Sequence, residues 1–190
     1  MKNFRLKIGN SKLKNILVFD LPYGQTCPNH TDCIKNCYAK KAERQYPNVR
    51  SWRADNLTLT KDPLTFQGLI NEQLAKTKLT VVRIHSSGDF YSQDYLNTWG
   101  SIAQANPTKV FFAFTKTNWS LGKLPANMNV ISSLINGKLN FGPRVYVEAL
   151  ARDTGAYICE STHPYDTSLI QCGVNCTYCH TNKKVVFVQH

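Results

Sequence analysis

LTVVRIHSSGDFYSQDYLNTW, Leu79 to Trp99, holds one complete structural unit. Leu79 to His85 is a short apolar run and reads as a buried strand. Ser86-Ser87-Gly88-Asp89-Phe90 is a loop. A helix follows from about Ser92, with Tyr95, Leu96, Trp99, Ile102 and Ala103 on its inward face, and Asn106-Pro107 stops it. The pattern repeats outward. Lys109 to Thr115, KVFFAFT, is another apolar strand, and Leu13 to Asp20, LKNILVFD, is an earlier one. Asp62-Pro63 opens a helix, because Asp suits the N-cap and Pro the first helical position. Its apolar stripe is Leu64, Phe66, Leu69, Ile70 and Leu74. A short helix is expected over Asn129 to Ile135, ending at Asn136-Gly137, and a fourth strand over Arg144 to Leu150, RVYVEAL. Near-continuous apolar strands separated by helices predict parallel strands covered on both faces.

The fold class is therefore α/β: a partial (β/α) barrel or an open parallel sheet. A cysteine-rich loop follows strand one, and the C-terminal tail is also cysteine-rich. One domain spans 1–190, with a β/α core over 12–150 and a cysteine-rich segment over 151–190 that closes the barrel mouth. In either architecture the site belongs at the carboxyl ends of the strands.

Composition sets the outer limits. The chain has 190 residues, 42% hydrophobic and 18% charged, which is globular rather than disordered. It has no apolar run long enough to span a membrane, and its first residues lack the apolar block of a secretory signal. A cytoplasmic setting is expected, where clustered cysteines are metal ligands more often than disulfides. The formal net charge is +11, which favours polyanionic partners such as nucleic acid.

There are seven cysteines, an odd number, so complete internal pairing is impossible. Cys27, Cys33 and Cys37 are spaced C-x5-C-x3-C. Cys172, Cys176 and Cys179 are spaced C-x3-C-x2-C, with Cys159 upstream beside Glu160. These cysteines lie among polar residues, so they do not read as small core hydrophobes. Loops this short let several sulfurs converge on one centre. Triplets suit a [4Fe-4S] cluster, one or two of them, better than zinc. Zinc remains the alternative, with His30 and His180 as nitrogen donors. CGVNCTYC, Cys172 to Cys179, has the radical S-adenosylmethionine spacing, but too late in the chain for that role. The first cluster has the right place and another spacing.

The remaining polar candidates lie near the second strand. His85, Ser87, Gly88 and Asp89 could face the cluster or a substrate, and Asp89 could instead cap the next turn. Gly88 suits a positive φ or a close approach. Arg83 lies two residues from His85, so strand alternation puts both on one face. Glu148, an acid within an apolar run, needs a partner such as Arg83. Arg44, Tyr46, Arg50, Trp52 and Arg53 interleave cations and aromatics. They read as a solvated linker with Trp52 as a lid, or as a strip for nucleic acid.

LPYGQTCPNHTDCIKNCYA, then Arg44 and Pro47, then RIHSSGDFYSQDYLNTW and FFAFTKT, resemble the "gene product 88" family of phage proteins over roughly residues 13–180. The architecture is also similar to a shortened radical S-adenosylmethionine barrel, whose Gly-rich turn ending in an acid resembles Ser86 to Asp89. These resemblances imply a phage protein acting in the cytoplasm of an infected bacterium, with an iron–sulfur site. Two function classes follow. One is a redox or radical enzyme using an electron donor, a small-molecule substrate or S-adenosylmethionine. The other is a basic, non-catalytic zinc- or cluster-binding protein that engages nucleic acid or a host protein.

Overall fold

Three apolar runs form the middle of one sheet, and side-chain alternation divides its two faces between two different sets of neighbours. The computed structural model describes residues 6–9, 13–29, 33–122, 124–135, 138–139, 141–142, 144–159, 178–180 and 184–188. In chain order the elements are β1 (Lys7–Ile8), β2 (Ile16–Phe19), α1 (Tyr38–Gln45), α2 (Pro47–Leu59), α3 (Pro63–Ala75), β3 (Val81–Ile84), α4 (Gln93–Ala105), β4 (Val110–Thr115) and β5 (Met128–Ser132). There follow β6 (Leu134–Ile135), β7 (Lys138–Leu139), β8 (Phe141–Gly142), α5 (Arg144–Thr154), β9 (Tyr157–Ile158) and β10 (Val185–Val188).

Five strands pair in the order β1-β2-β3-β4-β5. β1 runs antiparallel to β2, and β2 to β5 are parallel. The described strands make an open sheet, not a closed barrel. One transverse row holds Leu17, Val82, Phe111 and Met128; a second holds Phe19, Ile84, Ala113 and Val130. Both rows pack against Phe66, Ile70 and Leu74 of α3 and Tyr95, Leu96, Trp99 and Ile102 of α4. Burial of each large side chain contributes roughly 1.5–3 kcal/mol.

Both expected helices begin as their capping residues require. The Asp62 carboxylate accepts the Thr65 amide, with Pro63 in the first turn, and the Ser92 hydroxyl accepts the Tyr95 amide. Trp99 lies fully buried between Phe19 and Phe66, at ring-centroid distances of 5.4 and 5.3 Å. Leu64, expected in the stripe of α3, is instead 81% exposed.

The opposite face carries the row Val18, Arg83, Phe112 and Asn129. Ile16, Val18 and Phe112 pack there with Leu13, Val81, Phe114 and Cys179. Phe187 of β10 meets Phe114 edge-on at 5.2 Å, and Asn129 Nδ2 donates to the Cys179 carbonyl at 2.6 Å. The described parts of the C-terminal segment therefore cover the face that the helices leave.

Two expected elements exchange type. The helix expected over Asn129 to Ile135 is strand β5 followed by β6, which pairs antiparallel with β7. Val130 and Ile131 are β-branched, and the free sheet edge at β4 offers them a ladder. The strand expected over Arg144 to Leu150 is helix α5. Tyr146, Leu150 and Ala151 recur at helical spacing and pack on Val186, and Gly155, at φ 65°, follows its end. β8, β10 and β9 pair in that order as a second, parallel sheet against α5. Arg44 to Arg53 is not a linker: it runs through α1 and α2. Asn136 and Gly137 lie outside the described residues.

Candidate functional site at the carboxyl ends of the strands

The loops after β2 and β3 are fastened to each other before either reaches a cysteine. Asp20, the first residue past β2, is fully buried. Its Oδ1 accepts from the Ser86 amide at 2.7 Å, the Ser86 hydroxyl at 2.6 Å and the Ser87 amide at 2.9 Å. Its Oδ2 pairs with Lys7 Nζ at 2.9 Å and Arg53 at 3.7 Å, contacts with ion-pair but not hydrogen-bond geometry. Burial acts to raise the Asp20 pKa; Lys7, Ser86 and Arg53 outweigh it and hold the carboxyl below its usual range. The Leu21 amide then donates to the Ser87 carbonyl, and the Ser87 hydroxyl to the Leu21 carbonyl.

Arg53 extends this brace to α1. Its Nη1 donates to Glu43 at 3.0 Å, and Glu43 accepts the Tyr23 amide. Cys37 is the N-cap of α1, so the buried run Asp20–Arg53–Glu43 fixes both ends of the cysteine loop. Gly88 closes the loop from above. Its φ is +85°, and a Cβ there would meet Leu21 Cβ and Thr26 Oγ1 at 2.7 Å. Both readings of this glycine, positive φ and close approach, hold together.

Asp89 joins the strand ends. Its Oδ1 accepts from the Phe90 amide and from Thr115 Oγ1 at 2.6 Å, and its Oδ2 from the Lys116 amide at 2.9 Å. Burial nonetheless raises its pKa, against those hydrogen bonds. Asp89 thus caps the turn, and its charge adds to the upward shift at Cys27 and Cys33. Lys116 offsets it at Cys33.

Cys27, Cys33 and Cys37 come to this rim together. Burial first, then Asp89 and the neighbouring Cys33 and Cys37, push Cys27 up to about 11 against a lowering backbone hydrogen bond at Gly24. Burial also raises Cys33. Cys37 stands at the N-terminus of α1, where helix amides leave partial positive charge. The loop thus carries three soft sulfur donors, the donor type that thiophilic metals take. Among the described residues no group of three or more Cys, His, Asp and Glu is gathered tightly enough to hold a metal ion.

The other sequence candidates scatter. His85 adopts φ +63°, which reverses strand alternation. Its ring turns to the helix side, where Nε2 meets the Tyr95 hydroxyl at 2.9 Å and the ring packs on Phe90. Burial lowers its pKa to about 3, so the imidazole is neutral. Arg83 keeps the opposite face, with its guanidinium 5.6 Å from the centroid of Phe114. The two do not share a face. Glu148 lies on α5, and no ion pair joins it to Arg83. Cys159 is buried, its amide bonded to the Val186 carbonyl, and Cys179 lies against the sheet face at Phe112. His180 falls in the short turn Tyr178–His180. Cys172, Cys176 and His30 lie outside the described residues.

Sequence reasoning missed Asp20, Glu43 and the brace through Arg53. An acid closing an apolar strand was the available signal, because such a group demands partners.

Fold and rim together define an α/β protein with a mostly parallel sheet and a cysteine-bearing site at its strand ends. The family model described as "Gene product 88" matches residues 2–180, and the chain belongs to that family. It is similar to the "Gene 88 protein" of Mycobacterium phage L5, 34% identical over 123 residues, covering 58% of this chain and 52% of that one. The "Gene 88 protein" of Mycobacterium phage D29 is 32% identical over 123 residues, with 58% and 51% covered. The match thus spans about half the length of these relatives. No solved structure matches the chain. Among the described residues, no helix is long and apolar enough to cross a membrane.

Proposed function

We propose that this phage protein holds an iron–sulfur cluster at the carboxyl rim of its sheet, with Cys27, Cys33 and Cys37 as three thiolate ligands. The supporting observation is that three cysteines lie on one loop at the rim, and that a buried ion-pair network braces this loop where it ends at α1. Cys159, Cys172, Cys176 and Cys179 are the pool for a further ligand. A cluster so held supplies one-electron transfer. The sequential order of β2 to β5 supports the partial-barrel reading, in which the same rim takes the substrate. The reducing cytoplasm of an infected bacterium keeps such thiols free for metal.

Anaerobic purification with iron, sulfide and zinc analysis tests this. About four irons and four sulfides per chain, with a broad absorption near roughly 400 nm, are expected. Cys27→Ser, Cys33→Ser and Cys37→Ser each lower the iron content. Stoichiometric zinc without sulfide overturns the cluster in favour of a zinc site. A spectral response to S-adenosylmethionine would mark an iron with an open position; no response leaves an electron-transfer centre.

A second reading rests on a different surface. Lys35, Lys40, Lys41, Arg44 and Arg50 are all exposed, and Glu43, the acid of this stretch, is buried against Arg53. Tyr46 is exposed beside them at 53%, and Tyr38 leaves a ring edge exposed while its hydroxyl donates inward to the Ser86 carbonyl. Cations interleaved with aromatic rings suit a single-stranded nucleic acid. Fluorescence anisotropy with a single-stranded oligonucleotide should show a steep salt dependence. Its slope falls by about 0.7 for each cation among Lys40, Lys41 and Arg44 replaced by Gln. Salt-independent binding, or none, removes this reading.

A further inference from the structure

The face opposite α3 and α4 carries two polar groups that the described protein does not satisfy. Arg83 and Asn129 occupy the same transverse row, with Phe112 between them. Asn129 is 4% exposed, and its Oδ1 accepts nothing, although its Nδ2 donates to the Cys179 carbonyl. Arg83 Nε is buried and donates to nothing, and among the described residues its guanidinium makes no ion pair. The contrast with Arg53 is direct: Arg53 also leaves Nε unused, but its Nη atoms hold Glu43 and Asp20.

The two groups are complementary, a cationic donor and a neutral acceptor, yet they do not meet. Their strands stand two spacings apart, about 10 Å at the backbone. Arg83 leans onto Phe114 of the intervening strand, two residues along from Phe112, so the space between the two groups lies over that strand. We infer that this face binds a small organic carboxylate that carries a hydrogen-bond donor on the adjacent carbon, the chemistry of an α-amino acid. The carboxylate pairs with Arg83, and the amino group donates to Asn129 Oδ1. Guanidinium–carboxylate pairing is charge-assisted and directional, and it becomes stronger where water is excluded. Phe112 and Phe114 supply the apolar floor that small-molecule sites need. The inference rests on the sheet face, not on the cysteines, so it stands or falls apart from the cluster.

The test is titration calorimetry on the full chain with the twenty free amino acids as probes at millimolar concentration. Each amino acid that binds is then compared with its amide, which lacks the carboxylate, and with its des-amino acid, which lacks the donor. Binding is expected for at least one amino acid and should weaken in both analogues. Arg83→Met should weaken it by roughly 10- to 100-fold, the weight of one charge-assisted hydrogen bond, and Asn129→Leu by roughly 3- to 10-fold. Arg83→Lys, which keeps the charge, should recover part of the loss, and circular dichroism establishes that each variant is folded. The inference is overturned if no amino acid binds wild type, if amide and acid bind equally, or if folded Arg83→Met binds as wild type does.

Discussion

Asp20 and Arg83 are ionised groups on neighbouring strands, and the protein treats them in opposite ways. Asp20 receives three hydrogen bonds from the Ser86–Ser87 turn and faces two cations. Arg83 receives the face of Phe114 and leaves Nε unpaired. Burying a charge is costly unless its partners are supplied, so a supplied charge belongs to the architecture. A charge left short of partners invites one from outside. His85 makes a third case: burial removes its charge altogether.

The largest effect should come from breaking the supplied charge. Asp20→Ala strands Arg53 and Lys7 and frees the amides of Ser86 and Ser87. Denaturant unfolding should register a loss of about 3–5 kcal/mol, the range for removing one partner of a buried ion pair. If the proposed cluster is held there, the loosened loop should also lower iron content, because Asp20 braces the cysteine loop through Arg53 and Ser87. A loss under about 1 kcal/mol would mean that the network is a surface-like pair and that the contrast with Arg83 is empty.

His85 sets the next effect, and its sign follows from proton uptake. The unfolded chain takes up a proton near the ordinary value of 6.5, whereas the native imidazole resists until about 3. Between these values the unfolded state binds more protons, so stability falls as pH falls, by at most about 1.4 kcal/mol per unit. Asp20, whose pKa is also lowered, adds to this slope only below its ordinary value of 3.8. His85→Gln should flatten the stability curve between pH 6.5 and about 4, read as urea midpoints. An unchanged slope would show that the ring is charged in the native state.

These same residues mark where the sequence could be read and where it could not. Asp62-Pro63 and Ser92 announced α3 and α4 because capping is a local contest decided within four residues. β2, β3 and β4 were legible as apolar runs for an equally local reason. Val130 and Ile131 were not: a five-residue strand and one turn of helix look alike until a sheet edge decides between them. α5 was cut short at Leu150, before Ala151 could complete its stripe. α2 was hidden because its buried positions include Arg53 and Asn56, polar residues that blur the apolar period. The cysteine loop and the Ser87 to Asp89 turn were placed on one rim from strand order alone. His85 was assigned to the face of Arg83 because alternation presumes an extended backbone, and a left-handed residue at a strand end breaks that premise. Asn129 was seen only as part of a helix, so its place in the row of Arg83 had no sequence signal at all.

The smallest effect should be the most telling. Arg83→Met keeps the apolar stem over Phe114 and deletes the buried unpaired N–H. The cation–ring contact it forfeits is worth about 0.5–1 kcal/mol. The unsatisfied donor it removes costs the wild type about 1–3 kcal/mol. The two nearly cancel, so unfolding stability should change by less than about 1 kcal/mol, or rise. A protein that tolerates the loss of a half-buried cation has not been using it to stay folded. If instead Arg83→Met costs as much as Asp20→Ala, Arg83 already has a structural anion, and the two strands differ in nothing that bears on function.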